Sequence, residues 1–533
     1  MGTMRGWFFI TVALAAAACG GGSSSSFNPG SGASGSSSSG GTSSGSSGGS
    51  YVAGVYDASS TLASRCATPR TGTDPSTGKP YADVAGSVLL EGLYLRSWTN
   101  ELYFWYKEVP DINPSSYTTA NYFAILKTSG TTASGTAKDK FHFTYPTAQW
   151  VALSQSNVAP GYGADFEILS AYPPRAVVVG FTEPNSPATD PAINLARGAI
   201  VLAVDGVDLI YSSDATSVNV LNNGLWPSAA GATHTFTILD LGATASRTIT
   251  MTSANVTSVP VQNVGTTSTD AGPVGYMLFN DHMATSEQML IDAFRQLASA
   301  RVTDLVLDVR YNGGGYLDIA SEVAYMIAGS GPTKGRTFEK TVFNDKYPTR
   351  DPVTGLALTP VPFYTTAQGY SAPVGQALPT LNLTRVAVLT SASTCSASES
   401  IINSLRGVGV QVVQVGATTC GKPYGFYPQD NCGTTYFSIE LQGVNDQNFG
   451  DYADGFTAEN STAGKGVKVP GCAVADDLQH QLGDPAEHQL AAALGYFANQ
   501  TCPAPTATDS RGPQAGEPIS RPFPWREIRL LRR

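Results

Sequence analysis

The chain has 533 residues, more than one ordinary core accommodates, so two or three domains with non-globular segments are expected. Its hydrophobic share of 42% is enough to bury such cores. The formal net charge of -10, with no cluster of Lys and Arg ahead of the last residues, excludes a nucleic-acid partner, because a phosphate backbone is held by clustered cations.

Residues 1–19 carry one Arg, then an apolar run, then small residues ahead of Cys19. This is the pattern of an export signal, too short to span a bilayer as a helix. Ala16-Ala17-Ala18-Cys19 resembles the bacterial lipobox, which implies lipidation of Cys19 and attachment to a membrane through the lipid. Residues 20–50 are nearly all Gly and Ser, a random-coil composition reaching about 30 Å and suited to a tether between an anchor and a folded body.

Residues 51–156 contain helical stretches, chiefly around Leu89 to Tyr106, and read as a small helical N-terminal domain; the aromatic cluster Tyr103 to Tyr106 is assigned to core packing. Residues 157–258 change to short β-rich runs separated by Gly, Pro and Asn turns. Gly161-Tyr162-Gly163-Ala164 before a strand, Asn185 to Ala188, and Ala196 to Gly206 together resemble a PDZ domain. The resemblance implies that residues 161–168 form a groove in which loop amides receive a peptide's terminal carboxylate and the strand pairs with the peptide.

From residue 259 to about 500 strands alternate with helices, the signature of an α/β domain with parallel pairing, whose sites gather at strand-to-helix turns. Strands are expected at Val274 to Asn280, Leu305 to Arg310, Val386 to Thr390 and Val410 to Val415. Helices are expected from Thr285 to Ala300, with Thr285 and Gln288 as a capping box, and through Leu317 to Ile327. Residues 501–533 are Pro-rich, then Arg-rich, and read as a disordered basic tail.

Three turns carry candidate chemistry. Val386 to Glu399 runs from a strand into a helix that starts beside Ser396, where unpaired amides and the positive helix end favour developing negative charge. Alone, such a Ser is an N-cap. Asp308-Val309-Arg310-Tyr311-Asn312-Gly313-Gly314-Gly315 follows a buried strand, and its glycines permit close backbone approach to a substrate. Gly416 to Lys422 matches most of a P-loop, but Pro423 stands where a magnesium-binding Ser or Thr is needed, so no nucleotide is expected.

Taken together, the three turns resemble those of the C-terminal processing, or tail-specific, serine peptidase family, over residues 85 to 500. That family's Asp-Leu-Arg-x-Asn-x-Gly-Gly turn is matched from Asp308 to Gly315, its Ser-Ala-Ser-Glu at Ser396 to Glu399 and its Gly-Lys at Gly421-Lys422. The resemblance implies a crotonase-like α/β core of mixed sheet, with an inserted PDZ domain and a helical N-terminal part. It implies polypeptide substrates, Ser396 as nucleophile, Lys422 as general base, and the amides of Gly314 and Ala397 as the oxyanion hole.

Lysine acts as a base only when neutral, which requires lowering its pKa from about 10.4 and predicts a dry pocket. Two positions depart from the family: its acidic helper is Gly407 here, and a Gln found four residues after the Lys is Phe426. The third catalytic member is therefore open, with Glu399 the candidate or else a solvated helix carboxylate. The five histidines fall in no motif near Ser396.

No cofactor or metal is expected, since no cysteines are spaced as CxxC. Apart from Cys19 the six cysteines favour disulfides, with Cys420 and Cys432 the first pairing to consider.

Overall fold

The computed structural model describes residues 49–505 apart from 76, 463 and 464, then 517–520, and the backbone of 529–530. Cys19 and nearly all of the Gly/Ser tract lie outside the described residues.

The centre of the fold is a six-stranded sheet with its strands in sequence order. These are β1 (Val261–Thr269), β2 (Gly272–Phe279), β3 (Asp304–Asp308), β4 (Arg385–Thr390), β5 (Gln411–Gly416) and β6 (Gly471–Cys472). The first pair is antiparallel and the rest are parallel, giving a mixed sheet. Helices α1 (Ser286–Ser299), α2 (Leu317–Ala328) and α3 (Ala397–Gly407) connect successive strands.

Period-2 alternation divides the strand side chains between two layers. Met277, Leu305, Leu307, Val386 and Val388 pack against Leu290 and Phe294 of α1, Val323 of α2 and Ile402 of α3. Tyr276, Leu278, Val306, Leu389 and Val413 face Leu490 and Phe497 of α4 (His488–Asn499). Both faces are covered, so the strands read as continuous apolar runs.

A second sheet comprises Ala164–Ser170, Ala176–Thr182, Ile200–Val204, Val207–Asp208, Thr233–Leu239 and Arg247–Thr252, with Ala164–Ser170 at an edge. The helix Ala215–Leu225 packs on it, and the two share a core of Tyr162, Phe166, Val179, Leu221 and Phe236. The N-terminal part contains the helices Val88–Leu102, Thr119–Ile125 and Thr147–Ser156. It also contributes a strand, Phe143–Pro146, which pairs antiparallel with Thr434–Phe437.

Three expectations change. The disulfides are Cys66–Cys432, Cys395–Cys420 and Cys472–Cys502, so Cys420 and Cys432 do not pair with each other. Nearness in sequence was misleading because each half of that segment faces a different element. The capping box at Thr285 does not form: α1 starts at Ser286, the Thr285 side chain makes no cap bond, and the Gln288 amide donates to Ser371 Oγ at 3.1 Å. In the tail, Ile519 is buried in the β-rich core, with its amide donating to Ala171 O at 3.1 Å. Arg529–Leu530 pairs with Gly315–Tyr316. Residues 517–520 and 529–530 thus have structure that composition does not convey.

Candidate active site

The turn after β4 carries Ser396 directly before α3. Its φ of 62° and ψ of -114° lie where a non-glycine residue is strained, at a cost of roughly 1–3 kcal/mol. The residue is fully buried, and its Oγ makes no side-chain cap bond. Ser396 and Glu399 nonetheless hold the two positions of a capping box, the Glu399 carboxylate accepting the Ser396 amide, so the serine also stands at the helix cap. The amide of Ala397, first in the helix, has no intrahelical partner by position.

The turn after β3 lies against this segment. The Cys395 amide donates to Asn312 O at 3.1 Å, as does Ser398 Oγ, while Thr394 Oγ1 donates to Val309 O at 2.8 Å. Gly314 has φ 109° and Gly315 φ 136°, so the turn depends on glycine. A Cβ on Gly315 would meet His282 O at 2.6 Å. The Gly314 amide donates to Asn312 Oδ1 at 2.9 Å, so a substrate oxygen has to share or displace that acceptor.

His282, which no motif marks, lies on this turn. Its Nδ1 is 3.0 Å from Asn312 Oδ1, and its amide donates to Gly314 O at 3.0 Å. Burial pushes its pKa down to about 3, opposed by the bonds to Asn312 and Gly314, so the imidazole is neutral at working pH.

The turn after β5 carries Lys422. Gly421 before it has φ 81°, and a Cβ there would meet Ala453 O at 2.2 Å. Lys422 is fully buried, with Nζ 4.2 Å from the centre of the Phe426 ring and 4.6 Å from that of Phe141. Phe426, the position where the family resemblance fails, is thus one wall of the amine's pocket.

Glu399 joins the segments. Its Oε2 accepts the Ser396 amide at 2.9 Å and the Lys422 amide at 2.8 Å, while Oε1 accepts the Gly421 amide at 2.9 Å and the Thr419 hydroxyl. Thr419 Oγ1 itself accepts from the Phe456 amide, which fixes its proton toward Glu399. Burial pushes the carboxyl above its ordinary pKa, opposed by the Thr419 hydroxyl and then the Lys422, Ser396 and Gly421 amides. Glu399 is fully buried, so the solvated-carboxylate alternative does not hold.

Glu399 and the sulfurs of Cys395 and Cys420 form a cluster of metal-capable atoms, but the two sulfurs are bonded to each other and one carboxylate remains. The turns after β4 and β5 thus place the buried Ser396 and Lys422 at the carboxyl ends of parallel strands, tied through their backbone amides to Glu399, with the glycine turn after β3 beside Ser396.

Gly161 ends the strand Val158–Gly161, which pairs antiparallel with Ala254–Thr257, and Tyr162 and Gly163 lead from it to Ala164, the first residue of the edge strand Ala164–Ser170. Gly163 has φ 75°, and a Cβ there would meet Ser186 Cβ at 2.2 Å. The four residues line a cavity of about 510 Å³ that also meets Leu153 of the helix Thr147–Ser156 and the segment Leu225 to Ala230.

Residues 273–428 match the model of Peptidase family S41, and this span includes Gly314, Ser396, Ala397, Glu399 and Lys422. This segment of the chain is therefore similar to peptidase family S41, a family of serine-type peptidases. No curated protein matches the chain. Among solved structures it is similar to a Bacteroides fragilis protein described as an S41 protease, at 22% identity and a TM-score of 0.56, over 79% of this chain and 98% of that one. It is also similar to the photosystem II D1 C-terminal processing protease, at 20% identity and a TM-score of 0.42, over 72% of this chain and 94% of that one.

Proposed function

We propose that the chain is a serine endopeptidase of the C-terminal processing type, in which Ser396 and Lys422 form the catalytic dyad. The observation that carries this reading is the Glu399 carboxylate, whose Oε2 holds the amides of both residues inside a region closed to solvent.

In this reading Lys422 Nζ takes the Ser396 hydroxyl proton as Oγ attacks the scissile carbonyl. The amides of Ala397 and Gly314, the latter released from Asn312, receive the oxyanion, and the protonated lysine returns the proton to the leaving amine. Water then hydrolyses the acyl-enzyme, with the lysine again as base. The full burial of Lys422 supports the role, since desolvation favours a neutral amine.

Residues 157–258 act as a PDZ domain that captures a polypeptide's C-terminal segment through Gly161, Tyr162, Gly163 and Ala164. Support comes from the edge position of Ala164–Ser170 and the mostly apolar cavity beside the loop. The core is of crotonase-like type, supported by its mixed sheet and successive crossover helices. Lipidation at Cys19 anchors the enzyme to the bacterial cell envelope through the 20–50 tether, and the three disulfides suit an oxidising compartment. The substrates are then envelope or unfolded proteins.

Digestion of denatured casein and of a tagged C-terminal peptide tests the reading. Ser396→Ala and Lys422→Ala are each expected to lower kcat by at least about 10³-fold with folding retained. A rate preserved in the folded Ser396 variant overturns it.

A further inference from the structure

Cys395 stands immediately before Ser396, and Cys420 two residues before Lys422, and a disulfide joins them. The loop it closes contains the whole of α3 and β5, so this cross-link connects the two segments that carry the dyad. Non-covalent ties join the same segments: the Cys420 amide donates to Thr394 O at 3.0 Å, and the Glu399 carboxylate accepts amides from both sides. The other two bridges serve other places. Cys66–Cys432 fastens the N-terminal part to the hairpin 429–437, and Cys472–Cys502 fastens β6 to the chain following α4.

We propose that Cys395 and Cys420 are positioning residues whose disulfide sets Ser396 against Lys422, and that reduction by a dithiol reversibly switches the peptidase off. The proposal rests on the reading of Ser396 and Lys422 as nucleophile and base.

Cys395 is buried and Cys420 half-buried, so a reductant reaches the Cys420 sulfur first. A thiolate of the dithiol attacks Cys420 Sγ, the S–S bond breaks, and Cys395 leaves as a thiolate that takes a proton. The second thiolate of the reductant then attacks the mixed disulfide and releases Cys420, which is protonated in turn. Two electrons enter the bridge, and the dithiol becomes a disulfide.

The consequence is local. Cys420 Sγ lies 3.5 Å from Glu399 Oε2, the oxygen shared by the Ser396 and Lys422 amides. In the bridge this sulfur carries no proton. Once reduced it is an S–H donor beside that oxygen and competes with the two amides that fix the dyad. The loop 418–422 is at the same time released from its covalent tie to the nucleophile's turn.

The test titrates the full chain with dithiothreitol, measures kcat and KM on the tagged peptide, and locates freed thiols by alkylation and mass spectrometry. The expected result is a loss of kcat of at least 10-fold with KM within 2-fold, proportional to alkylation of Cys395 and Cys420 and recovered on reoxidation. A Cys395→Ala/Cys420→Ala chain is expected to hold the low kcat and ignore dithiothreitol. A chain with Cys66, Cys432, Cys472 and Cys502 all changed to Ala should still respond; if it does not fold, the proportionality in the unaltered chain decides alone.

Full kcat with Cys395 and Cys420 alkylated, or wild-type kcat in the folded double variant, overturns the proposal. Ser396→Ala is run alongside: activity independent of Ser396 defeats the dyad reading instead, which separates the two failures.

Discussion

Glu399 concentrates the local chemistry of the site in one side chain. Four donors face its two oxygens, so the pocket is built for an acceptor only. Glu399→Gln keeps the shape but turns an NH₂ group toward donors, removing one acceptor and opposing two like groups. Steady-state kinetics are expected to show kcat lower by about 10–100-fold with KM nearly unchanged, the mark of an interaction that positions reacting groups rather than binding substrate. A kcat equal to wild type would mean that Glu399 serves folding alone.

At the scale of elements, the loop following Phe363 is held against α1 and α2 by two buried carboxyls. Glu287 accepts the amides of Gln368, Gly369, Ser371 and Ala372 at 2.7–2.9 Å, and Glu322 accepts that of Gln368 at 2.9 Å. The Tyr370 ring of this loop packs at a tilt of 40° on Tyr316, next to the glycine turn, with ring centres 4.6 Å apart. Burial, followed by the neighbouring Glu287 charge, pushes the Glu322 pKa up to about 9.

A pKa raised on folding contributes stability that is complete below the unfolded value and is lost as pH rises through the folded one. The window for Glu322 therefore runs from about 4.5 to about 9, at up to ~1.4 kcal/mol per pH unit. Chemical denaturation across pH 5–9 is expected to show this decline in the wild type and a flatter profile in Glu322→Gln. Equal slopes in the two proteins would dismiss the assignment.

At the scale of the whole molecule, the β-rich sheet is joined to the α/β core through Arg197. Its guanidinium donates to Asp476 Oδ1 at 2.6 Å, Asp477 O at 3.0 Å and His480 O at 2.9 Å, and also to Tyr311 Oη and Gly180 O. Asp476 is shared with Arg310, which bonds Glu487 and Asp308, and Tyr311 packs on Phe181. The junction thus runs into residues 308–311, directly before the glycine turn.

Removing one member of such a buried network leaves charges and carbonyls unpaired, so Arg197→Met is expected to cost about 3–5 kcal/mol in denaturant unfolding. A change under about 1 kcal/mol would show that the junction does not hold the sheet to the core.

The sequence by itself determined the elements and motifs that local physics governs. Apolar runs of β type alternating with amphipathic helical periods located β2 to β5 and α1 to α3, because burial imposes those periods directly. Glycines at Gly314, Gly315 and Gly421 were legible as turns because few other residues adopt their backbone angles. Ser396, Lys422 and Glu399 were named from the three motifs, yet their sequence separation gave no measure of how they meet.

Only the tertiary structure decided the matters that depend on distant chain segments approaching. It resolved the disulfide pairing, since cysteines near in sequence face different elements. It placed His282 on the glycine turn, because no sequence periodicity connects residue 282 to residue 314. It replaced a capping box at Thr285 with a bond from the Gln288 amide to Ser371, and gave residues 517–520 a docking place. It also buried Glu399, which in sequence was a helix carboxylate with two open fates, and so removed the solvated one. Burial and four converging donors, three of them from the segment 419–422, make it the link between the two halves of the site.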